Sequence, residues 1–399
     1  MSEGSPEGYN VAENDLSEPA RKAQTGEPYE RTPLYRIRCH KKSISYCVKL
    51  ADGTIVEEGK LPAKLATLRA WAGKRTVAWH GAMEATLFSG WIYDAWKPFA
   101  AKLQMGHPAM MEAIGAAKKK SDKLDARKIA DMVRCNLLPE CYVAPPELRE
   151  LRRLLRYRNL VVDQAVQMKN RMSGLLMEVG AEYSKSQLHG EKYFWELLDQ
   201  LEEVPESVKD LLRLSRGALE TFQSTQQQLL VRLEKHPRLS ERVQRLRSIR
   251  GVGQVTALTW ALEVCEPHRF PSIDQAVSYC GLTTALDSSA GKQKRGPISK
   301  KRNPHLQKVL IEAAKLAPRW NAQLAAVYER EIHCGHRNRA TLEVARKLVA
   351  YLLAVDKSGK PFQVATPATS PQEVETAAKK TKPGVHVPPP FPCVFDFGR

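Results

Sequence analysis

The chain has 399 residues, 43% hydrophobic and 27% charged, which is the length of two or three domains and the composition of a globular protein. Its 62 Lys and Arg against 44 Asp and Glu leave a net charge of +18. That excess points to a polyanionic partner, and nucleic acid comes before a membrane surface because the bases are spread through segments with folded patterning. No apolar run approaches the roughly 18 residues of a membrane span, and the first residues lack a basic start followed by an apolar stretch, so a cytoplasmic protein with no membrane partner is expected. The eight cysteines (Cys39, Cys47, Cys135, Cys141, Cys265, Cys280, Cys334, Cys393) include no CxxC and meet no His pair at zinc spacing. Buried free thiols are expected, not a metal site or a disulfide framework.

In chain order, residues 1–32 are rich in Glu, Ser, Pro and Gly and hold more acids than bases. Such a segment cannot repay its ordering entropy, which predicts a disordered acidic lead and concentrates the positive charge in the remainder. Residues 33–144 begin with a predicted strand at Leu34–Cys39. Ile44, Tyr46, Val48 and Leu50 then alternate with Ser43, Ser45, Cys47 and Lys49, and Asp52-Gly53 is a two-residue turn into Thr54-Ile55-Val56. A helix over 62–72, a strand over 75–79 and a helix over 86–96 follow, which together predict an α/β sheet with helices packed on it.

From residue 145 the period becomes helical, with Leu148, Leu151 and Leu155, then Val162, Ala165, Met168, Met172, Leu175 and Leu176 at three- and four-residue steps. Two long helices broken near 180–190 are predicted across 145–240, packing on each other or on another subunit. A mainly helical region, 241–355, comes next. From residue 356 onward Pro361, Pro367, Pro371, Pro383 and the Pro388-Pro389-Pro390 run predict an extended or disordered tail.

Three segments carry chemistry. Arg250-Gly251-Val252-Gly253-Gln254 is a Gly-x-Gly turn opening a helix. Glycines at 251 and 253 would let the backbone approach a phosphate, and the helix N-terminus would offer it amides, as in a helix-hairpin-helix; an ordinary capping turn is the plainer reading. Asp287-Ser288-Ser289-Ala290-Gly291 leads into Lys292, Lys294, Arg295, Lys300, Lys301 and Arg302, six bases within eleven residues beside two hydroxyls. A serine there could attack a phosphodiester held by those cations, although a solvated loop that only grips phosphates has the same composition. The acids are Glu84, placed just past a predicted strand end, and Asp122 with Asp125, three apart at a predicted helix start. Clustered carboxylates suit Mg²⁺, while an N-terminal helix cap at Ser121 or Asp122 needs no metal.

Taken together, His40-Lys41-Lys42-Ser43, Ala82-Met83-Glu84-Ala85-Thr86, Lys120-Ser121-Asp122-Lys123-Leu124-Asp125-Ala126, Arg250-Gly251-Val252-Gly253, Tyr279-Cys280-Gly281-Leu282 and Ser288-Ser289-Ala290-Gly291 resemble, in order and spacing, the DEDD transposases of the IS110 group of bacterial insertion sequences. The resemblance implies an α/β RuvC-like (RNase H-like) N-terminal domain, a long helical coiled-coil arm and a mainly α C-terminal transposase domain. It also implies four acids binding Mg²⁺, a serine that joins covalently to cut DNA, double-stranded DNA of element ends and target as substrate, a guide-type RNA encoded by the element, and a homodimer or homotetramer. By position, Glu84, Asp122 and Asp125 would be the second to fourth acids. Ser289 would be the nucleophile, with Ser288 its competitor.

The chain departs from that pattern at two places. The first acid of the family would fall at Arg38, and arginine cannot ligate a cation; it brings a fixed positive charge to the metal's place or pairs with Glu84 or Asp125. Ala290 replaces the family's glycine after the serine. The expectation is therefore a DNA recombinase weakened at its metal site, the alternative being a catalytically degenerate relative that only binds nucleic acid.

Overall fold

The computed structural model describes residues 34–39, 42–77, 79–114, 122–289, 292–300, 302–333 and 335–363. The acidic lead and most of the Pro-rich tail lie outside those residues. The chain divides into two compact units, Met1–Arg149 and Glu150–Arg399.

The first unit is built on five strands: β1 (Leu34–Cys39), β2 (Ser43–Lys49), β3 (Ile55–Pro62), β4 (His80–Glu84) and β5 (Lys102–Gly106), in the order β3-β2-β1-β4-β5. The first three form an antiparallel meander, and β4 and β5 add parallel to β1. Parallel addition requires a crossover, supplied here by α1 and α2 on one face, while the helices after β5 cover the other. On one face α1 (Leu65–Gly73) and α2 (Ser89–Trp96) close over Ile44, Val48, Met83 and Leu103. Four aromatic rings, Tyr35, Trp71, Trp79 and Trp96, fill the middle at centroid separations of 4.8 to 6.3 Å. On the other face α3 (Pro108–Ile114) and α4 (Asp122–Arg134) bury Met111, Ile129 and Met132 against Ala82. Ala82 and Met83, adjacent in β4, thus serve opposite cores, as a two-residue side-chain period demands.

Three local expectations need correction. The strand expected over 75–79 is β4, five residues later. Arg75 is held by two hydrogen bonds to Glu57 (2.6 and 3.0 Å) and lies 4.4 Å over the Trp71 ring, so its backbone is tied to β3 and α1, outside the new strand. Gly81 and Ala82 carry no β-branched signal; Gly81 is needed because a Cβ there would stand 2.5 Å from the Trp79 ring. The helix expected over 86–96 begins at Ser89, whose hydroxyl accepts from the Thr86 amide (3.0 Å) and donates to the Thr86 carbonyl (3.0 Å), making a turn of residues 86–89. The helix expected over 62–72 begins at Leu65, because β3 continues to Pro62.

The second unit is helical: α5 (Pro146–Glu178, whose first turn belongs to the other unit), α6 (Glu191–Gln200), α7 (Glu206–Glu234), α8 (Pro237–Arg247), α9 (Gln254–Val264), α10 (Ile273–Tyr279), α11 (Pro304–Leu316), α12 (Ala322–His333) and α13 (Arg337–Ser358). One hairpin, β6 (Thr284–Ser289) and β7 (Lys292–Ile298), interrupts them. The two long helices expected up to about residue 235 are α5 and α7, and the short α6 stands between them. The end of α5, then α6 and α7, share one apolar core of Met172, Leu176, Phe194, Leu198, Leu212 and Leu219. Cys265 and Cys280 are buried free thiols as expected and Cys47 is buried, whereas Cys135, after the end of α4, is exposed. Among the described residues no helix is long and apolar enough to cross a membrane.

Nearly all of α9 is buried, and it carries one carboxylate, Glu263, whose side chain is fully shielded from solvent. Arg156 of α5 donates two hydrogen bonds to it (2.7 Å each), Asn303 donates a third (2.9 Å), and Arg152 stands 3.7 Å away. Burial alone would push the Glu263 carboxyl up; the Arg156 pair, helped by Asn303 and Arg152, outweighs it and holds the group below the usual carboxylate range. A group depressed in this way stabilises the fold fully above its unfolded value, near 4.3 for Glu, and that contribution is lost as pH falls through the lower folded value. Removing one partner of a buried pair strands the other charge, a loss of roughly 3–5 kcal/mol. Arg156→Ala is therefore expected to lower stability in urea by about 3 kcal/mol at pH 7, and the gap between variant and parent should narrow on titration below pH 4.

Candidate active site

Glu84 ends β4, opposite Gly106 of β5, and is half-buried. The register between β1 and β4 pairs Arg36 with Ala82 and Ile37 with Met83, so Arg38 and Glu84 are each the next residue along two neighbouring parallel strands. The position corresponding to the family's first acid thus adjoins Glu84 at the carboxyl edge of the sheet, where open α/β sheets gather their reacting groups.

Helix α4 approaches the same edge. Arg127 hydrogen-bonds Glu58 (2.6 and 2.9 Å), Asp131 accepts from Lys49 (2.7 and 2.8 Å), and Arg134 lies against Gly53 in the β2–β3 turn. Glu58 is level with Cys47 and Arg36, and Lys49 with Leu34, so α4 runs against the direction of β1. Its first residues therefore lie toward the strands' carboxyl ends. Asp122 precedes Arg127 by about 7.5 Å of helix rise, and Arg38 follows Arg36 by about 6.6 Å of strand. In backbone position the start of α4, with Asp122 and Asp125, lies toward the same end of the sheet as Glu84 and Arg38. The side chains of Arg38, Asp122 and Asp125 lie outside the description, as do His40, Lys41 and Ser121 altogether.

The serines belong to the other unit. The segment expected as a loop is a hairpin in which Asp287 pairs with Lys294, Ser288 with Gln293, and Ser289 with Lys292, leaving only residues 290–291 to connect the strands. Its sequence gave no apolar alternation from which a strand could be read. Ser289 closes the hairpin at its tip, opposite the first base of the cationic run. Lys292, Lys294 and Arg295 are in β7, Lys300 and Arg302 are exposed just beyond it, and Lys301 is not described.

The base of the hairpin is clasped from several sides. Arg346 of α13 donates to the Leu282 carbonyl (2.9 Å), Gln307 of α11 to the Gly281 carbonyl (2.6 Å), and the Ser299 amide to the Thr283 carbonyl (3.0 Å). Gly281 has φ +70°, and a Cβ there would stand 2.3 Å from that of Arg302. Asn303 caps α11 through its side-chain oxygen while its amide nitrogen reaches Glu263, and the Tyr279 hydroxyl donates to the Glu263 carbonyl (3.1 Å). Of these, Tyr279, Gly281 and Leu282 stood out only as part of a motif, and Arg346, Gln307, Ser299 and Asn303 were given no role from sequence. The available signal was Glu263, an acid inside an otherwise apolar helix.

The Gly-x-Gly turn joins α8 to α9, and its two glycines differ. Gly251 has φ +97°, and a Cβ would meet that of Ala317 at 2.6 Å, so packing explains it. Gly253 caps α9 with no side-chain hydrogen bond and faces open space. Of the two, only Gly253 leaves room for a ligand at the backbone.

Two family models match the chain: one of DEDD transposases of the IS110 type over residues 37–180, and one described as transposase IS116/IS110/IS902 family over 243–329. The chain belongs to the IS110 family of transposases. The first IS110 match takes in β4, α4 and all of α5; the second takes in the glycine turn, the hairpin and, apart from Arg346, its clasp. Similar proteins include a probable family 20 transposase of Pseudomonas aeruginosa, 25% identical over 223 residues (54% of this chain, 66% of the relative). The transposase for insertion sequence element IS1111A of Coxiella burnetii is 29% identical over 202 residues (49% and 54%). A putative transposase of Sinorhizobium fredii, y4qE, is 25% identical over 207 residues (52% and 50%). The matches span between half and two thirds of these relatives' lengths.

The unequal glycines of this IS110 chain yield a paired expectation. Gly251→Ala meets both a left-handed backbone and a hard contact, and should cost about 2 kcal/mol or more in thermal or urea unfolding. Gly253→Ala, with ordinary φ and open space, should cost less than about 1 kcal/mol.

Proposed function

We propose that this protein is a DNA transposase that cuts and joins phosphodiesters with Ser289, assisted by Mg²⁺ held at Glu84, Asp122 and Asp125. The observation that supports this reading best is the shared sheet edge, where β4 ends in Glu84 and α4 begins with Asp122, together with a serine at the tip of a cationic hairpin in the second matched region. The first unit, with its β3-β2-β1-β4-β5 sheet, is read as the RuvC-like domain.

Ser289 Oγ would attack the phosphorus, forming a serine–phosphate ester while the bond to the leaving sugar oxygen breaks. The serine proton passes to solvent, and the departing oxygen takes a proton as a hydroxyl. Lys292, Lys294 and Arg295, with Lys300, Lys301 and Arg302 beyond them, offset charge on the phosphate and bind the DNA backbone. Three carboxylates are hard oxygen donors of the kind Mg²⁺ takes, so the donor chemistry fits the cation, with Arg38 next to Glu84 where a fourth acid would complete the set. The metal, when bound, polarises a phosphate oxygen and neutralises its charge. Among the described residues no three metal-binding side chains gather, and the two aspartate carboxylates are not among those described.

The substrate in this reading is double-stranded DNA of element ends and target. A guide-type RNA supplies the sequence choice, and the protein works in the cytoplasm as a dimer or tetramer. Apolar side chains left exposed on α5 and α7, including Leu160, Val166, Met177 and Leu214, support assembly with further copies. Arg38 favours one second reading, a catalytically silent transposase that still binds nucleic acid, because a fixed cation opposes Mg²⁺.

Two measurements test these readings. A protein–DNA adduct resistant to denaturation is expected with labelled element-end DNA, lost in Ser289→Ala and kept in Ser288→Ala; an adduct that survives Ser289→Ala overturns the nucleophile. Arg38→Asp is expected to raise Mg²⁺-dependent cleavage roughly tenfold or more, by analogy with the effect of altered metal surroundings. Equal, robust cleavage by both proteins overturns the impairment. Sequencing RNA that copurifies with the protein tests the guide.

A further inference from the structure

Beside the glycine turn, within the second unit, lies a groove of about 840 Å³ between α5, the start of α9 and α11. Its walls are mainly apolar, with Val162, Val255, Val309 and Leu316, and Trp320 stands at its edge 66% exposed. Such a volume suits a ligand of one or two rings and excludes a duplex about 20 Å across.

One wall carries a guanidinium that no described carboxylate meets within salt-bridge range, Asp163 of the same groove acting on it only from further away. Arg152, Arg156 and Arg242 each have a carboxylate within 4 Å. Arg158, which also lines the groove, has none within that distance among the described residues. Its guanidinium donates to Asn159 Oδ1 (3.1 Å), and its Nε is shielded from solvent with no hydrogen-bond partner. Burial pushes the Arg158 guanidinium down from its ordinary value, as expected for a cation short of an anion. Two other polar features border the same space: Gly253, the open and uncapped start of α9, and Lys308, which reaches Asp163 at 2.6 Å across the groove.

A ligand satisfying all of this has an anionic oxygen group for Arg158 and a flat, largely apolar body for Trp320 and the aliphatic walls. In a chain of net charge +18, the polyanion whose units have that form is single-stranded nucleic acid. We propose that the groove receives one unpaired nucleotide, its phosphate against Arg158 and its base stacked on Trp320. The inference rests on the nucleic-acid reading above and adds to it a single-strand subsite away from the serine hairpin, none of whose residues lines the groove. Stacking on an aromatic ring is worth about 1–3 kcal/mol per base and tolerates any base, so the subsite would sense an unpaired strand without reading sequence.

The test uses the full chain and three labelled probes of mixed sequence: a 20-nucleotide DNA strand, the same strand as RNA, and a blunt 20-base-pair DNA duplex. Binding is followed by fluorescence anisotropy across a salt series. Trp320→Ala is expected to weaken single-strand binding roughly tenfold and duplex binding less than twofold, with Trp320→Phe restoring most of the loss. Arg158→Gln should weaken single-strand binding and lower its salt slope by about one. The strand weakened more, DNA or RNA, identifies the source of the nucleotide. Unchanged single-strand affinity in Trp320→Ala overturns the proposal, as does an equal loss on the duplex. A changed oligomeric mass with unchanged affinity also overturns it and assigns the groove to a second copy. If the unaltered protein binds none of the probes, the nucleic-acid reading itself fails, which is a distinct result. Unfolding midpoints measured alongside confirm that both variants keep the fold, as their partly exposed positions lead one to expect.

Discussion

A carboxylate with no access to water must be neutralised by its neighbours, and this requirement at Glu263 organises the second unit. The charge sits on α9, the most buried helix, and its partners come from α5, through Arg156 and Arg152, and from Asn303 at the start of α11. Each partner has a second duty. Asn303 also caps α11, and its amide bonds the Tyr279 carbonyl, so satisfying the carboxylate sets where α10 ends and α11 begins. The residues between those helices include the hairpin, so the placement of Ser289 descends from the burial of one charge 26 residues earlier. A buried ion pair is a poor source of stability compared with apolar packing; what it supplies here is a unique arrangement of three elements, since misplacing any of them leaves a charge stranded.

The first unit obtains its precision differently, from sheet register and two ion pairs. Backbone hydrogen bonds between β1 and β4 fix Arg38 beside Glu84 to within a residue, and a slip of one would move every side chain to the other face. The pairs Arg127–Glu58 and Lys49–Asp131 hold α4 along its length, so its first turn cannot shift along the sheet without breaking both. This frame would present a fourth acid as readily as it presents Arg38. Replacement at that position therefore changes the charge at the edge without requiring any change in the scaffold, and a chain with this substitution can keep its fold.

How much of this was readable from sequence follows from the range of the interactions involved. Alternation in Ile44, Tyr46 and Val48 and the Asp52-Gly53 turn are local signals, and they located β1, β2 and the turn. The small residues of β4 were passed over, since Gly81 is chosen by the Trp79 ring beside it and Ala82 by the core on the opposite face, packing facts invisible to propensity. The hairpin was missed because its residues are polar and its order comes from Arg346 and Gln307, respectively 64 and 26 residues from the carbonyls they hold. In the same way, the glycine turn stood out as a motif, but the sequence could not separate Gly251, fixed by Ala317, from Gly253, which is open. Motif spacing singled out the residues proposed to carry chemistry; which of them carry structure had to come from contacts distant in sequence.

The hairpin adds a last electrostatic consideration. Two-stranded ribbons are marginal without support on a face, and this one is clasped at its base. Register sets Lys292 opposite Ser289 and Lys294 opposite Asp287, so a single acid faces a strand that carries three bases within four residues. Like charges so close repel one another, and folding the ribbon concentrates them. A bound phosphate removes that penalty, which makes anion binding and completion of the ribbon mutually reinforcing: the same polyanion that Ser289 would attack is the partner that best stabilises the strands presenting it.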